Sequence, residues 1–143
     1  MRAERLAVLL SGRGSNFAAI ARSCSSGAIP IPIVAVISNR PDAGGIRHAR
    51  ELGLPAHVID HREYASREEH EAVVREALES ARADLIALAG YMRLLSPAFI
   101  SRFRNRIVNI HPSLLPSFPG VDAQSQALEH GVKVSGCTVH FVD

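Results

Sequence analysis

The chain of 143 residues is poor in several features that would assign it to a particular class. Cysteine occurs twice, at Cys24 and Cys137, far apart and in apolar-patterned segments. Buried free thiols are the expected state, which fits a reducing cytoplasm. There is no CxxC and no HExxH, so no metal site is visible. No apolar run is long enough to cross a bilayer, and a membrane partner is not expected. The start, Met1-Arg2-Ala3-Glu4-Arg5-Leu6, lacks the apolar core and cleavage pattern of a signal peptide. The formal net charge is only +2, with basic residues scattered along the sequence, which excludes a nucleic-acid footprint but leaves room for one phosphate group. Internal repeats, low-complexity tracts and interdomain linkers are also missing. What remains is one cytoplasmic, soluble domain, or most of one. Its 47% hydrophobic content is ordinary for such a domain, and its length allows a real core.

Apolar runs alternate with helix-patterned stretches. Leu6 to Leu10 reads as a strand covered on both faces. From Asn16, the spacing of Phe17, Ile20, Ala21 and Cys24 is helical, and Gly27 closes the helix. Ile31 to Ile37 is a β-branched strand, Ala43 to Leu52 a helix ending at Gly53, and Ala56 to Ile59 a short strand. Ser66 and Glu69 have capping-box spacing for a helix to about Ala81. In that helix Val74, Ala77, Leu78 and Ala81 form the apolar stripe, and Glu71 and Arg75 are expected to pair on the wet side. Leu85 to Ala89 is a strand. Ser96 and Pro97 open a short helix through about Phe103. Ile107 to Ile110 is a strand, 123–130 a helix, and Val134 to Val142 a last strand. His48, His57, His61, His70 and His130 are expected at the surface, and His140 in the last strand is expected to make a structural hydrogen bond. Such alternation predicts an α/β, doubly wound, mostly parallel sheet, whose ligands gather at the carboxyl ends of strands.

Three loops fall at that edge. Ser11-Gly12-Arg13-Gly14-Ser15-Asn16 joins the first strand to its helix. Its two glycines and the amides of the helix start suit an anion, with Ser15 and Asn16 adding short hydrogen bonds. The bland reading is a tight turn in which Ser15 or Asn16 merely caps the helix. Phe17 stands where a dinucleotide fingerprint needs its third glycine, and no Gly-Lys-Ser/Thr is present, so a lone phosphomonoester fits better. Gly90 to Leu95 comes after the fourth strand.

The third loop carries the most chemistry. Asn109 and His111 stand two apart at the end of a strand, so both belong to one side of the sheet. Pro112, Pro116 and Pro119 stiffen the loop beyond that strand. An amide donor beside a proton-carrying ring suits a reaction that builds negative charge on oxygen, which points to acyl-type transfer. Asn and His at a strand end also often do no more than hydrogen-bond nearby backbone.

Ser11 to Asn16, Gly90-Tyr91-Met92-Arg93-Leu94-Leu95-Ser96 and Asn109-Ile110-His111-Pro112-Ser113-Leu114-Leu115-Pro116 strongly resemble the phosphoribosylglycinamide formyltransferases of the formyltransferase superfamily. The likeness runs the length of the chain and implies a Rossmann-like formyltransferase fold. It also implies formyl transfer from 10-formyltetrahydrofolate to glycinamide ribonucleotide in purine biosynthesis, by a monomer or homodimer and without a metal. By the same resemblance, Gly14, Ser15 and Asn16 hold the substrate phosphate, and Pro112 lies along that substrate. Met92, Arg93, Leu94 and Leu95 wall the folate pocket, while Arg67 and Asn109 contact the formyl donor. His111 and Asn109 are the catalytic pair. For Leu94 the bland reading is an ordinary buried strand end, and for Arg67 a solvated first-turn residue. Asp122 and Gln124 stand where some members have histidines, which puts substrate contacts from those two in doubt.

The family places an aspartate beyond a strand like Thr138-Val139-His140-Phe141-Val142, past the position of Asp143. A C-terminally truncated domain of weak or no activity is therefore expected. Alternatives are another folate-dependent formyltransferase, a formyltetrahydrofolate hydrolase, or a noncatalytic phosphate-binding remnant.

Overall fold

The computed structural model describes residues 3–111 and 138–142. Eleven segments alternate along them: β1 (Leu6–Leu10), α1 (Ser15–Ser25), β2 (Ile33–Ser38), α2 (Gly44–Glu51), β3 (Ala56–Val58), a 3-10 turn (His61–Glu63), α3 (Arg67–Ser80), β4 (Leu85–Ala89), α4 (Pro97–Arg102), β5 (Ile107–His111) and β6 (Thr138–Phe141). The sheet order is β3-β2-β1-β4-β5-β6. Five strands are parallel, and β6 joins β5 antiparallel, with Asn109 opposite His140 and His111 opposite Thr138. The chain winds outward from β1 to β3 and then crosses back to β4, so strand order reverses between β1 and β4. Loops leaving those two strands flank a natural crevice.

Alternation along β1 divides the core into two layers. Leu6, Val8 and Leu10 pack with Phe17, Ile20 and Ile46 of α1 and α2. Ala7 and Leu9 face the other way, toward Val74 and Leu78 of α3 and Phe99 and Phe103 at α4. Helices on both faces require strands that are apolar throughout, and every residue of β1 and β4 is buried. Each fully buried Leu, Ile or Phe contributes roughly 1.5–3 kcal/mol, so this sandwich dominates stability.

The expected elements form within a residue or two of their predicted bounds. The 123–130 segment, residues 134–137, Cys137 and His130 lie outside the described residues. Four side-chain expectations are corrected. Glu71 does not pair with Arg75. Its carboxylate instead accepts the backbone N–H of Ser96 at 2.8 Å and the Ser96 hydroxyl, while Arg75 pairs with Glu79 at 3.4 Å. His70 is not on the surface. It is 1% exposed beneath Tyr64, and its Nε2–H donates to the Ile59 carbonyl at 2.7 Å. His48 is half-buried, edge-on to Phe17, rather than freely exposed. Cys24 is half-buried, and burial pushes its thiol up to about 11, so it stays protonated. Among the described residues no helix is long and apolar enough to cross a membrane.

Candidate active site

The turn after β1 is held open by packing. Gly14 sits at φ 82 as the N-cap of α1, and a Cβ there would lie 2.6 Å from the Gly45 Cα. Gly45 in turn fits only because it too lacks a side chain: its Cβ would meet Leu10 at 2.7 Å. The Gly45 N–H donates to the Gly12 carbonyl at 3.1 Å, locking the turn onto the start of α2. No side chain caps α1, so neither Ser15 nor Asn16 plays the capping role of the bland reading. Asn16 instead reaches across the sheet edge and donates Nδ2–H to the Ile110 carbonyl at 3.3 Å. The first amides of α1 therefore remain available, beside an exposed Ser15 and an unobstructed Gly12. Positive helix-end charge and free N–H groups together favour an anion.

The loop after β4 is tied to this turn. Gly90, at φ 71, swings the chain out of the strand. The Met92 N–H then donates to Ser11 Oγ at 2.8 Å. Ser11 is 4% exposed, and its own hydroxyl proton goes to Asn39 Oδ1. Asn39, 2% exposed, meets His61 Nδ1 with its side-chain amide at 3.1 Å and its backbone carbonyl at 3.3 Å, so His61 is half-buried rather than at the surface. Three loops, those after β1, β2 and β4, are thus joined by one buried polar chain.

Beyond Met92 the side chains alternate. Met92 is 77% and Leu94 84% exposed, whereas Tyr91 and Leu95 pack on the core below. Leu94 is therefore not a buried strand end. Two apolar side chains in water beside an anion turn suit a ligand with one flat apolar part and one charged part. Burial raises the Tyr91 phenol to about 12, leaving it neutral. Arg93 is half-buried.

Asn109 lies in β5 next to Leu88 of β4, half-buried, two residues from the strand's end. The backbone of His111 closes β5; its side chain and Pro112 lie outside the described residues. Arg67 is the exposed first residue of α3. No hydrogen bond or ion pair among the described residues joins it to the three loops. Its helix is nevertheless anchored to the site, because Glu71 holds Ser96 at the end of the 90–95 loop. The capping box differs slightly from the expected form: Ser66 Oγ accepts from Glu69 N–H, while Glu69 answers at the Ala65 N–H, one residue earlier than Ser66.

Sequence reasoning missed Asn39, His61 and Glu71. A signal existed for Asn39, which comes after a β-branched central strand just as Ser11 comes after β1. His57 and His61 also stand four apart, a spacing that makes a metal pair only on a helix. Here one lies in β3 and the other opens a 3-10 turn. Among the described residues no three His, Cys, Asp or Glu side chains gather to hold a metal ion.

The chain is similar to known proteins over nearly its whole length. The family model described as formyl transferase matches residues 4–143. The trifunctional purine biosynthetic protein adenosine-3 of Drosophila melanogaster is 52% identical over 144 residues, covering 99% of this chain and 11% of that protein. The phosphoribosylglycinamide formyltransferase of Haemophilus influenzae is 42% identical over 140 residues, covering 98% of this chain and 66% of that protein. Among solved structures, glycinamide ribonucleotide transformylase 1 from Symbiobacterium toebii superposes with a TM-score of 0.79 at 52% identity, over 99% of this chain and 66% of that one. The chain thus spans about a tenth of the trifunctional relatives and just under two thirds of the single-function ones. With a family model over residues 4–143 and a superposition at this extent of identity, the chain belongs to the formyl transferase family.

Proposed function

We propose that the chain forms a single formyltransferase domain and transfers the formyl group of 10-formyltetrahydrofolate to the amine of glycinamide ribonucleotide, in the cytoplasm and in purine biosynthesis. The observation that carries this reading is the hydrogen-bonded joining of the anion turn to the 90–95 loop through Ser11 and Met92. That link sets a phosphate cradle beside exposed apolar side chains, next to the strand end that bears Asn109 and His111. The names of the relatives point the same way.

In this reading Gly14, Ser15 and Asn16 take the phosphate and Pro112 lines the same substrate. Met92, Arg93, Leu94 and Leu95 receive the folate, with Arg67 at the donor's outer end. The substrate amine attacks the formyl carbon, and the carbonyl oxygen gains negative charge. Asn109 and His111 donate hydrogen bonds to that oxygen, where exclusion of water makes them strongest. A histidine titrates near neutrality, so His111 also moves the proton from the incoming amine toward the departing folate nitrogen. Holding both reactants at one edge removes much of the entropic barrier. None of these steps calls for a metal.

The test is an assay of the natural full-length protein with glycinamide ribonucleotide and 10-formyltetrahydrofolate, tracking the formylated product by chromatography. Formation of that product that depends on both substrates is expected. Release of free formate at the same rate without the ribonucleotide would replace this reading with a hydrolase.

A further inference from the structure

The connections from α3 to β4 and from α4 to β5 lie at the amino ends of the parallel strands, opposite the three site loops. Between them is an open cavity of about 490 Å³, lined by Arg82, Arg102, Arg104 and Arg106 with Glu79 and Asp84. Both carboxylates are already engaged. Asp84 accepts the backbone N–H groups of Glu4 and Arg5 at 2.9–3.0 Å. Glu79 is shared between Arg75 and Arg102. Arg82, Arg104 and Arg106 are exposed and have no ion-pair partner among the described residues. A chain whose whole formal charge is +2 therefore concentrates a surplus of positive charge at one concave spot.

A backbone observation points to the same place. Just past their last turns, α1 and α2 each put a glycine in the left-handed region, Gly27 at φ 86 and Gly53 at φ 73. At the end of α3 that position is Arg82, at φ 57. A side chain there is strained relative to glycine. The backbone N–H of Arg82 donates to the Glu79 carbonyl at 3.0 Å, as any residue's would, and Arg5 donates twice to the Ala81 carbonyl, at 2.9 and 3.1 Å, so the end of α3 does not need the Arg82 side chain. Arg82 thus brings a guanidinium to the cavity from a position where α1 and α2 use glycine.

We propose that this cavity is a second anion site, separate from the turn after β1, and that it takes a small molecule bearing two or more phosphates. Its volume matches small-molecule sites, and planar guanidinium forks pair with phosphate oxygens two at a time. The inference does not depend on the formyl-transfer reading.

The probe is inorganic tripolyphosphate, titrated calorimetrically into the full-length protein at low and at physiological salt. Binding that weakens with salt is expected, and the R104A/R106A double variant should bind about tenfold more weakly or worse. R82G is the sharper test, because glycine suits φ 57. It should raise the urea midpoint yet weaken tripolyphosphate binding by several-fold, a combination that a purely structural arginine would not produce. Should the double variant fail to fold, R82G alone decides the matter. Absence of binding overturns the proposal. So does binding unaffected by the arginine changes, the result expected if the probe sits only at the β1 turn.

Discussion

Met92 donates its backbone N–H to the hydroxyl of Ser11, eighty-one residues earlier, at 2.8 Å. The bond spans the point where strand order reverses and joins the two loops that flank the crevice. Ser11→Ala leaves both the Met92 amide and Asn39 Oδ1 short of a partner, at a cost of about 1–3 kcal/mol. In denaturant melts it should therefore destabilise more than Ser15→Ala, which alters an exposed residue. Under the formyl-transfer reading it should also raise the KM for the folate donor more than that for the ribonucleotide. Equal shifts in both constants would mean that Ser11 supports the fold without positioning the 90–95 loop.

Gly12 and Gly14 should respond in opposite ways. Gly14→Ala adds a Cβ 2.6 Å from the Gly45 Cα at a left-handed φ, so a loss of at least about 2 kcal/mol is expected. Gly12→Ala meets no atom within 4 Å and should leave the melting temperature nearly unchanged while weakening phosphate-ligand binding. Under the formyl-transfer reading, a Gly12→Ala protein with unchanged affinity for the ribonucleotide would remove the turn from the proposed substrate site.

His70 links stability to pH. Burial away from water lowers its pKa below the ordinary 6.5, and this outweighs the Ile59 carbonyl, which by accepting the Nε2–H pulls the other way. The unfolded chain binds the proton more readily, so stability is fully present above about 6.5 and falls as pH drops toward the depressed native value. Urea midpoints measured from pH 8 to 5 should decline more steeply for the natural protein than for His70→Gln, which keeps a donor but cannot titrate. Parallel curves would sink this assignment.

Glu71 and Arg75 separate a helix anchor from a surface ion pair. Glu71→Ala frees Ser96 N–H and the start of α4, and should cost about 1–2 kcal/mol. Arg75→Ala breaks only an exposed pair with Glu79 and should cost about 0.5 kcal/mol or less. Chemical denaturation of the two variants side by side decides the order.

Under the formyl-transfer reading, His111→Ala should abolish product formation in the full-length protein while leaving ribonucleotide binding nearly intact. Asn109→Ala should lower kcat by about 10²–10³, the usual effect of removing one oxyanion donor. Single-turnover formyl transfer measured with both substrates saturating is the check, and unchanged turnover in His111→Ala would refute its role.

Much of the architecture was legible in the residues alone. Continuous apolar runs at β1 and β4, the 3.6-residue spacing of Phe17, Ile20 and Ala21, and the Ser66 and Ser96 caps are local signals. They act over one turn or one strand, the range within which side chain and backbone dictate each other. The glycine turn and the place of Asn109 and His111 at the end of β5 were legible for the same reason, each being a few consecutive residues. What only the tertiary structure decided is long-range pairing. Met92 chooses Ser11, Asn39 chooses His61, Glu71 prefers Ser96 to a helical neighbour, and His70 goes under Tyr64. Four arginines spread over 82–106 become one cavity only because parallel strands bring two helix exits to the same edge. A polar side chain's partner depends on which loops the sheet order sets side by side. That order comes from burying both faces of every strand at once, a condition no local stretch of sequence contains.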